Sequence, residues 1–435
     1  MQQPKTSYLN ARPFDPFRRA ASDAMRALVK DVLQQLDGYE SSTGLRKRKR
    51  SASAQETYTD TVEAILCDLI CRELEQPRGR VHLSQSNQVL RKASRYKGKA
   101  MGKTLPDILK VMSSPEMAFI TMVPGKSEFT VPENGRPILT GGTQTVIAAA
   151  GKLLSQIDTF GISFADIGRS NDEEAIVLRG PKTKNGQPGP LIEYVDTEET
   201  DRLRQQLSEI NSYLEQAEIE LAFDEGDVDL GNRRLRRIFN NGDFRQGGRL
   251  YGGFWQNMKH LDRLNSLYID DDSAVELDYG QTALLLLYSI ERAQAPSGDL
   301  YDLSEFGIPT TCRPGIKKLI QASINSSKPL ERMPKGARKT IPKTFSLAKV
   351  QEAIQKKHPR IAPRFNEALG MQLMRLESDI LVDVLLTLKS KGIVALPVHD
   401  AVLVKGSYEH EALAVMIDIF RRHTGLTPEV DAVYP

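Results

Sequence analysis

The chain is poor in three things, and each absence narrows what it can be. It has only 3 cysteines in 435 residues, an odd and small number that gives no disulfide framework and fits a reducing compartment. Cys67 and Cys71 stand four apart on an expected helix and share a face, but no further Cys/His pair lies near enough to complete a zinc set. Net charge is nearly absent: 59 Lys+Arg against 56 Asp+Glu leave +3, so the total points to no particular partner. Long apolar runs are missing too. None approaches the roughly 20 residues that cross a bilayer, and Met-Gln-Gln-Pro-Lys at the start has no apolar core of a signal peptide. The expectation is a soluble, intracellular (cytoplasmic) protein with no membrane partner.

What is present suffices for real cores. With 40% hydrophobic and 26% charged residues, the chain reads as two or three domains. Basic residues are clustered: Lys47 to Arg50 lie in a run Arg-Lys-Arg-Lys-Arg, and others crowd 91–103 and 332–343. Such stretches neutralise phosphates locally, although one run alone equally makes a solvated face.

Residues 1–59 read as a helix (Pro16 to Leu36) and a Ser/Gly/basic linker (Gly38 to Ala54). A second region, 60–150, opens on helical periodicity at Val62, Ile65, Leu66, Leu69 and Ile70. Helices are expected over Ser84–Tyr96 and Leu105–Met112, then a strand over Met117–Val123, a Pro124-Gly125 turn and a returning strand at Pro137–Thr140. Three helices followed by a hairpin is the order of a winged helix, here with Arg91, Lys92, Arg95, Lys97, Lys99 and Lys103 as nucleic-acid-binding candidates. Gly98 to Thr104 imitates a phosphate-binding loop but is one residue short and follows a basic helix rather than a strand. Residues 151–232 read as a connector and a helix whose stripe Leu203, Leu207, Ile210, Leu214, Ala217, Leu221 suits one arm of a helical hairpin.

The chemistry is expected in 233–435. In Ala274-Val-Glu-Leu-Asp278-Tyr-Gly-Gln-Thr, a short apolar strand ends in an acid and runs into a helix. In Gly392-Ile-Val-Ala-Leu-Pro-Val-His399-Asp400-Ala-Val-Leu-Val-Lys405, two apolar strands flank His-Asp. An acid within a buried strand is costly unless it is paired or binds a cation. Two on adjacent strands call for a divalent metal, as in two-metal phosphoryl transfer. Between them, Arg313-Pro-Gly-Ile-Lys317 opens a helix with Arg and Lys on one face, suited to a triphosphate.

These segments resemble the superfamily of family A DNA polymerases and single-subunit phage-type RNA polymerases. Asp278-Tyr-Gly-Gln resembles motif A, Arg313-x-x-x-Lys317 motif B and Val398-His-Asp400 motif C, in the family's order. Met371 to Ile380 resembles the palm helix before motif C. Asp243-Phe-Arg-Gln-Gly-Gly-Arg249-Leu-Tyr251 resembles the D-x-x-G-R element of single-subunit RNA polymerases, one residue longer.

The resemblance implies an α+β right hand over about 200–435: a helical thumb (198–230), a palm of antiparallel sheet with helices, and short fingers near 299–345. It implies Asp278 and Asp400 as ligands of two Mg²⁺ (or Mn²⁺) ions, with the Tyr279 carbonyl as a further ligand. Arg313 and Lys317 would bind the incoming triphosphate, and Lys317 would serve as general acid. His399 would meet the primer end, and Arg249 the template or nascent backbone.

Departures bear on the product. Ala283 stands where most of the DNA enzymes carry a ribose-excluding Glu, Ala401 replaces their Glu after His-Asp, Asn325 occupies the motif B position where an aromatic is expected, and Gln321 is the intermediate position. Ala283 and the Gly-Gly-Arg element lean toward ribonucleotides; Tyr279-Gly-Gln281 leans toward the DNA branch. Only 122 positions separate Asp278 from Asp400, and no carboxylate pattern of a proofreading exonuclease precedes 198.

The expectation is a template-directed polymerase or primase of a phage, prophage or plasmid replication system. Its partners would be DNA template, primer or nascent strand, dNTP or NTP, and replication proteins. The alternative is a DNA-binding replication or regulatory protein on a polymerase-like scaffold that has lost catalysis.

Overall fold

The structure, a computed structural model, describes residues 11–130, 138–183, 186–222 and 228–435. The chain packs as two units: Met1–Glu174 with Phe223–Asn232, and Ala175–Ala222 with Arg233–Pro435. Both mix α and β structure. Among the described residues, no helix is long and apolar enough to cross a membrane.

The first unit runs β1 (Ala11–Pro13), β2 (Arg18–Ala20), α1 (Asp23–Ser42), α2 (Ala52–Glu75), β3 (Arg80–Leu83), α3 (Asn87–Arg91), α4 (Leu105–Met112), β4 (Ile120–Val123), β5 (Lys126–Thr130), β6 (Ile138–Thr143), β7 (Thr145–Ala149), α5 (Gly151–Phe160) and β8 (Ile167–Arg169). Serines start its two long helices: the Ser22 and Ser51 side chains accept from the amides of Met25 and Ala54, which satisfies donors the helix cannot. Behind the caps, Met25, Leu28, Val32 and Leu36 of α1 join Val62, Ile65, Leu66 and Leu69 of α2 in one buried cluster. The sheet has the order β1-β3-β7-β4, with β5 and β6 paired as a separate hairpin.

Three local expectations are corrected. The helix expected over Pro16–Leu36 runs instead from Asp23 to Ser42, and the linker shrinks to the residues between Ser42 and Ala52. The reason is Glu40, only 8% exposed, which takes Arg46 at 2.8 Å and Arg50 at 2.7 Å. The Arg50 guanidinium also lies 3.3 Å from the centre of the Tyr58 ring, so part of the basic run is structural. The helix expected over Ser84–Tyr96 is only Asn87–Arg91. Lys97 Nζ folds back onto the carbonyls of Val89, Leu90 and Lys92 and terminates it. The strand expected from Met117 starts at Ile120, and of the returning strand Pro137 lies outside the described residues while Ile138 opens β6.

The second unit contains β9 (Ile176–Leu178), α6 (Glu198–Gln216), β10 (Ile219–Leu221), β11 (Arg236–Asn240), β12 (Asp243–Tyr251), α7 (His260–Ser266), β13 (Leu267–Ile269), β14 (Asp272–Tyr279), α8 (Thr282–Ile290), α9 (Arg313–Asn325), α10 (Leu347–Lys357), α11 (Gly370–Ser390), β15 (Leu396–Val398), β16 (Ala401–Lys405), α12 (Glu409–Thr424) and β17 (Val430–Val433). The main sheet has the order β10-β13-β14-β16-β15, and β17 also pairs with β14. A smaller sheet, β12-β11-β9, receives α11 on β12.

The stripe of α6 is buried as expected at Leu203, Leu207, Ile210 and Leu214, but it faces α11 and β9. A helical hairpin is therefore not what buries it: Ala217 caps the helix and Leu221 lies on β10. Of the expected thumb, 223–227 lie outside the described residues. One buried side chain anchors α6 to the chain entering β11. Asn211 donates to the Leu235 carbonyl at 2.9 Å and accepts from its amide at 2.8 Å. Asn211→Ala would orphan both groups at a buried site, a loss of about 2–4 kcal/mol. A urea midpoint unchanged by this variant would show that α6 is held by its apolar stripe alone.

Candidate active site

The centre of the main sheet is β14, flanked at its C-terminal end by a strand on each side. Asp278 pairs in register with Ala401 of β16 and with Asp431 of β17. Alternation along β14 buries Val275, Leu277 and Tyr279 and leaves Asp278 partly exposed. Glu276, in contrast, is buried and answered by Arg263 at 2.8 Å and His260 at 3.5 Å. Tyr279 anchors the strand end: its buried hydroxyl donates to the Met416 carbonyl at 2.7 Å, while its own carbonyl accepts from the Thr282 hydroxyl at 3.2 Å.

Asp400 arrives from the neighbouring hairpin. β15 and β16 pair so that Val398 faces Ala401, leaving His399 and Asp400 as a two-residue turn. His399 takes a φ of +59°, costing roughly 1–2 kcal/mol for a non-glycine residue, and stands exposed at the tip. A left-handed residue is what a two-residue hairpin turn requires. The hairpin is clamped from below by the chain's single Trp. Fully buried Trp255 donates to the Pro397 carbonyl at 3.0 Å and Gln256 to the same oxygen at 2.9 Å. A side chain at Gly253 would overlap the indole.

Asp278 is thereby in the field of other acids. Burial, then Asp400, then Glu276 and Asp431 push its carboxyl up to about 7, and Lys317 is the cation that tempers this. A third acid was missed by the sequence reading. Glu377, on α11 and 11% exposed, is pushed up to about 7 by burial and by Asp400 and Asp278, against the pull of Arg249. Arg249 grips its Oε1 through Nε at 2.7 Å and Nη2 at 2.6 Å. Glu377 lies inside the Met371 to Ile380 segment noted in the sequence, but nothing there singled it out as an acid of the site. Asp431, three residues into neither motif and near the end of the chain, is likewise visible only through strand pairing.

Arg249 can reach because the Gly-Gly-Arg element is a bulge. Gly247 and Gly248 have φ of +82° and +85°, and the β11–β12 register shifts around Phe239. This is the extra residue noted in the sequence. A side chain at Gly247 would collide with Asn240, and one at Gly248 would crowd Phe239 and Arg237. Under the bulge, fully buried Arg237 donates to the Gly248 carbonyl at 2.8 Å and pairs with Asp379 of α11 at 2.6 Å.

Arg313 and Lys317 lie on the exposed side of α9. Arg313 holds Asp299 through Nε at 2.6 Å and Nη2 at 3.2 Å. Arg313 and Lys317 both stand over the Tyr301 ring, at 5.3 and 5.9 Å from its centre. Tyr301 is buried and hydrogen-bonded to Gln321, and burial pushes its hydroxyl up to about 12, with Arg313 pulling down and Asp400 pushing up. Its loop is fixed by a neutral network. His358 binds the Leu300 carbonyl at 2.8 Å and the Tyr288 hydroxyl at 2.9 Å, and burial pushes it down to about 4.

Asp278, Asp400, Lys317, Tyr279, Tyr301 with Gln321, and Arg249 with Glu377 thus form one neighbourhood. Ala283 lies half-buried in the first turn of α8. Asn325 turns away: its amide donates to the Gln321 carbonyl at 2.8 Å and fills the space above Gly370, where a side chain would collide. Arg91, Lys92 and Arg95 belong to the other unit. Arg91 and Lys92 are exposed, whereas Arg95 is paired with Glu174 at 3.3 Å.

The donor set of Asp278, Asp400 and the Tyr279 carbonyl suits a hard divalent cation, being all oxygen and unbalanced in charge. Among the described residues, the three-residue group of metal-ligating side chains whose ligand atoms converge is Cys71, Glu75 and Asp229. There Arg18 takes Asp229, and Arg12 and Arg72 take Glu75, so guanidinium groups already hold the charge a metal would need.

Ionised Asp278 opposes folding above its raised value, since the unfolded carboxylate titrates near 3.9. In metal-free buffer at pH 8, Asp278→Asn is therefore expected to raise the melting temperature by roughly 2–4 °C. The gain should vanish as pH falls below about 7 toward 4. A lowered melting temperature at pH 8 would contradict the picture of uncompensated repulsion.

Comparison with protein-family models and with curated proteins gave no match. Among solved structures, the chain is similar to the POL domain of Pol1 from M. smegmatis in complex with DNA primer-template and dNTP. The TM-score is 0.33 and the identity 12%, covering 58% of this chain and 57% of that one. The chain spans little more than half of that neighbour's length, and at this level the likeness carries no argument about activity.

Proposed function

We propose that the second unit is a nucleotidyltransferase palm that adds (d)NTPs to a 3′-hydroxyl on a nucleic-acid template. One observation carries the reading. Asp278 and Asp400 are brought together from separate strands with their repulsion left standing, and Lys317 of α9 is the cation facing them. A structural acid pair would be answered by arginine, as Glu276 is by Arg263.

Asp278 and Asp400, with the Tyr279 carbonyl, would hold two Mg²⁺ (or Mn²⁺) ions. These supply a more acidic attacking hydroxyl and stabilise the leaving pyrophosphate. The remaining work falls to side chains. Arg313 exchanges Asp299 for the triphosphate, Lys317 binds beside it and protonates the pyrophosphate, and Tyr301 with Gln321 backs the base and sugar. His399 at its strained turn meets the primer end, and Arg249 is aimed at template or nascent backbone. The methyl of Ala283 leaves room for a ribose 2′-hydroxyl, which supports relaxed sugar discrimination. In right-hand terms the main sheet and α11 are the palm, 299–345 the fingers and the α6 segment the thumb.

In the first unit, the chain order α2-β3-α3-α4-β4-β7, with β7 between β3 and β4 in the sheet, supports reading this region as a winged helix. With Arg91 and Lys92 exposed, this supports a nucleic-acid-binding role for 60–150.

Primer extension on a short DNA template tests the proposal, with dNTPs and NTPs in separate reactions. Asp278→Ala and Asp400→Ala should each lower the rate by about 10³-fold or more, the scale of several kcal/mol of metal stabilisation. Both variants should still bind primer-template. Absence of extension by the unaltered chain with either nucleotide set, or activity that survives both substitutions, would turn the reading to a binding protein without catalysis.

A further inference from the structure

The positive charge of the second unit is concentrated in one segment. From Arg313 to Arg360 the chain carries 13 Lys or Arg against 2 acids, Glu331 and Glu352, a net +11 where the whole chain totals +3. Three of these cations are answered: Arg313 by Asp299, Lys356 by Glu352 and Lys357 by Glu305. Among the described residues, Lys318, Lys335, Arg338, Lys339, Lys343 and Lys349 have no acid partner. All six are exposed.

Packing gathers these cations on a fixed support. The turn Ala337–Lys339 lies against α9: a Cβ at Gly315 would meet the Ala337 carbonyl oxygen at 2.6 Å, and one at Gly336 would meet Lys318 Nζ at 3.0 Å. Buried Ala337, Ile341 and Val350 anchor the segment from within. Arg338 Nη1 donates to the Pro342 and Phe345 carbonyls at 2.8 and 2.9 Å, which closes the loop that carries Lys343. Lys349 Nζ stands 5.0 Å from the centre of the Phe345 ring. Like charges held together repel one another, and a polyanion relieves that repulsion. The aromatic content says which polyanion fits. Phe345 is the one Phe, Tyr or Trp between Arg313 and Arg360, and it is half-buried with Lys349 over its face. Surfaces that take single strands combine cations with aromatic platforms for the bases. Here the platform is missing, which fits a duplex that keeps its bases stacked inside and offers phosphates outside.

We propose that the surface from Lys318 of α9, through Lys335, Lys339 and Lys343, to Lys349 of α10 binds the phosphate backbone of double-stranded nucleic acid without reading its sequence. Arg313 and Lys317, assigned above to the triphosphate, are not part of it. The inference does not rest on the palm reading, because neutralising phosphates requires neither metal nor nucleotide.

The test is fluorescence anisotropy of a short labelled DNA duplex, and of one of its strands alone, titrated with the full chain in EDTA without nucleotide over a range of KCl concentrations. The first variant combines Lys335→Gln, Lys339→Gln, Lys343→Gln and Lys349→Gln; the second changes the same four residues to Arg. A third removes four exposed cations elsewhere in the unit, through Lys259→Gln, Arg292→Gln, Lys391→Gln and Arg422→Gln. Circular dichroism melting verifies that each folds. In the first variant duplex affinity should fall by roughly 10–10²-fold at low salt, and the slope of log affinity against log salt should flatten by about 2–4. The loss should be the same for duplexes of unrelated sequence. The Arg variant should keep both affinity and slope, and the third variant should lose far less than the first.

Unchanged duplex affinity and slope in the first variant overturn the inference. Equal losses in the first and third variants also overturn it, because total charge and not this surface would then be responsible. A loss confined to the single strand overturns the choice of duplex. None of these outcomes touches the palm reading, which stands or falls on extension by the Asp278 and Asp400 variants.

Discussion

The second unit is organised around the repulsion between Asp278 and Asp400. Strand pairing forces the proximity: Asp278 sits between β16 and β17, and the turn before β16 can only deliver Asp400 beside it. Fold energetics alone favour neutralising one of them, which is why burial and neighbours push Asp278 up to about 7. Elsewhere in the same unit acids have arginine partners, as buried Glu276 has in Arg263 and part-exposed Asp379 has in Arg237. The contrast is what the proposed metal-binding role of Asp278 and Asp400 rests on.

Holding such a pair takes a stiff frame. The Trp255 and Gln256 donors on the Pro397 carbonyl fix the hairpin, and Gly253 gives the indole its room. Two left-handed glycines let β12 bulge over buried Arg237, which in turn ties β12 to α11. The Tyr288–His358–Leu300 chain of hydrogen bonds does the same for the loop carrying Tyr301. Each device joins segments distant in the sequence, so the frame around the two acids is built by the fold itself. That is what electrostatic stabilisation of developing charge requires.

The central acids were legible in the sequence because a carboxylate inside an apolar strand breaks the hydrophobic pattern, and two such breaks flanked an Arg/Lys face. Glu377 and Asp431 broke no pattern. A glutamate on a helix is ordinary, and its meaning came only from Arg249, 128 residues away. The Asn325 departure was visible, but its turn toward Gly370 depended on α11 packing. In the first unit the order of helices and strands was readable from periodicity, yet boundaries were not. Glu40 with Arg46 and Arg50 stabilised a longer helix than the composition implied, and Lys97 ended a shorter one. Arg95 looked like a phosphate ligand until Glu174 was seen beside it. Such errors share one cause: specific side-chain partners, some near and some far in sequence, decide where elements end and which groups stay free, and a linear reading does not see them.

The account stands on a metal occupying the space between Asp278 and Asp400. Crystals grown with Mn²⁺, primer-template and a non-hydrolysable nucleotide would show it through anomalous scattering. The account predicts two peaks about 3.5–4 Å apart between these carboxylates, with the triphosphate on Arg313 and Lys317. A bound nucleotide with no anomalous density at the pair, or density only at Cys71, Glu75 and Asp229, would contradict it.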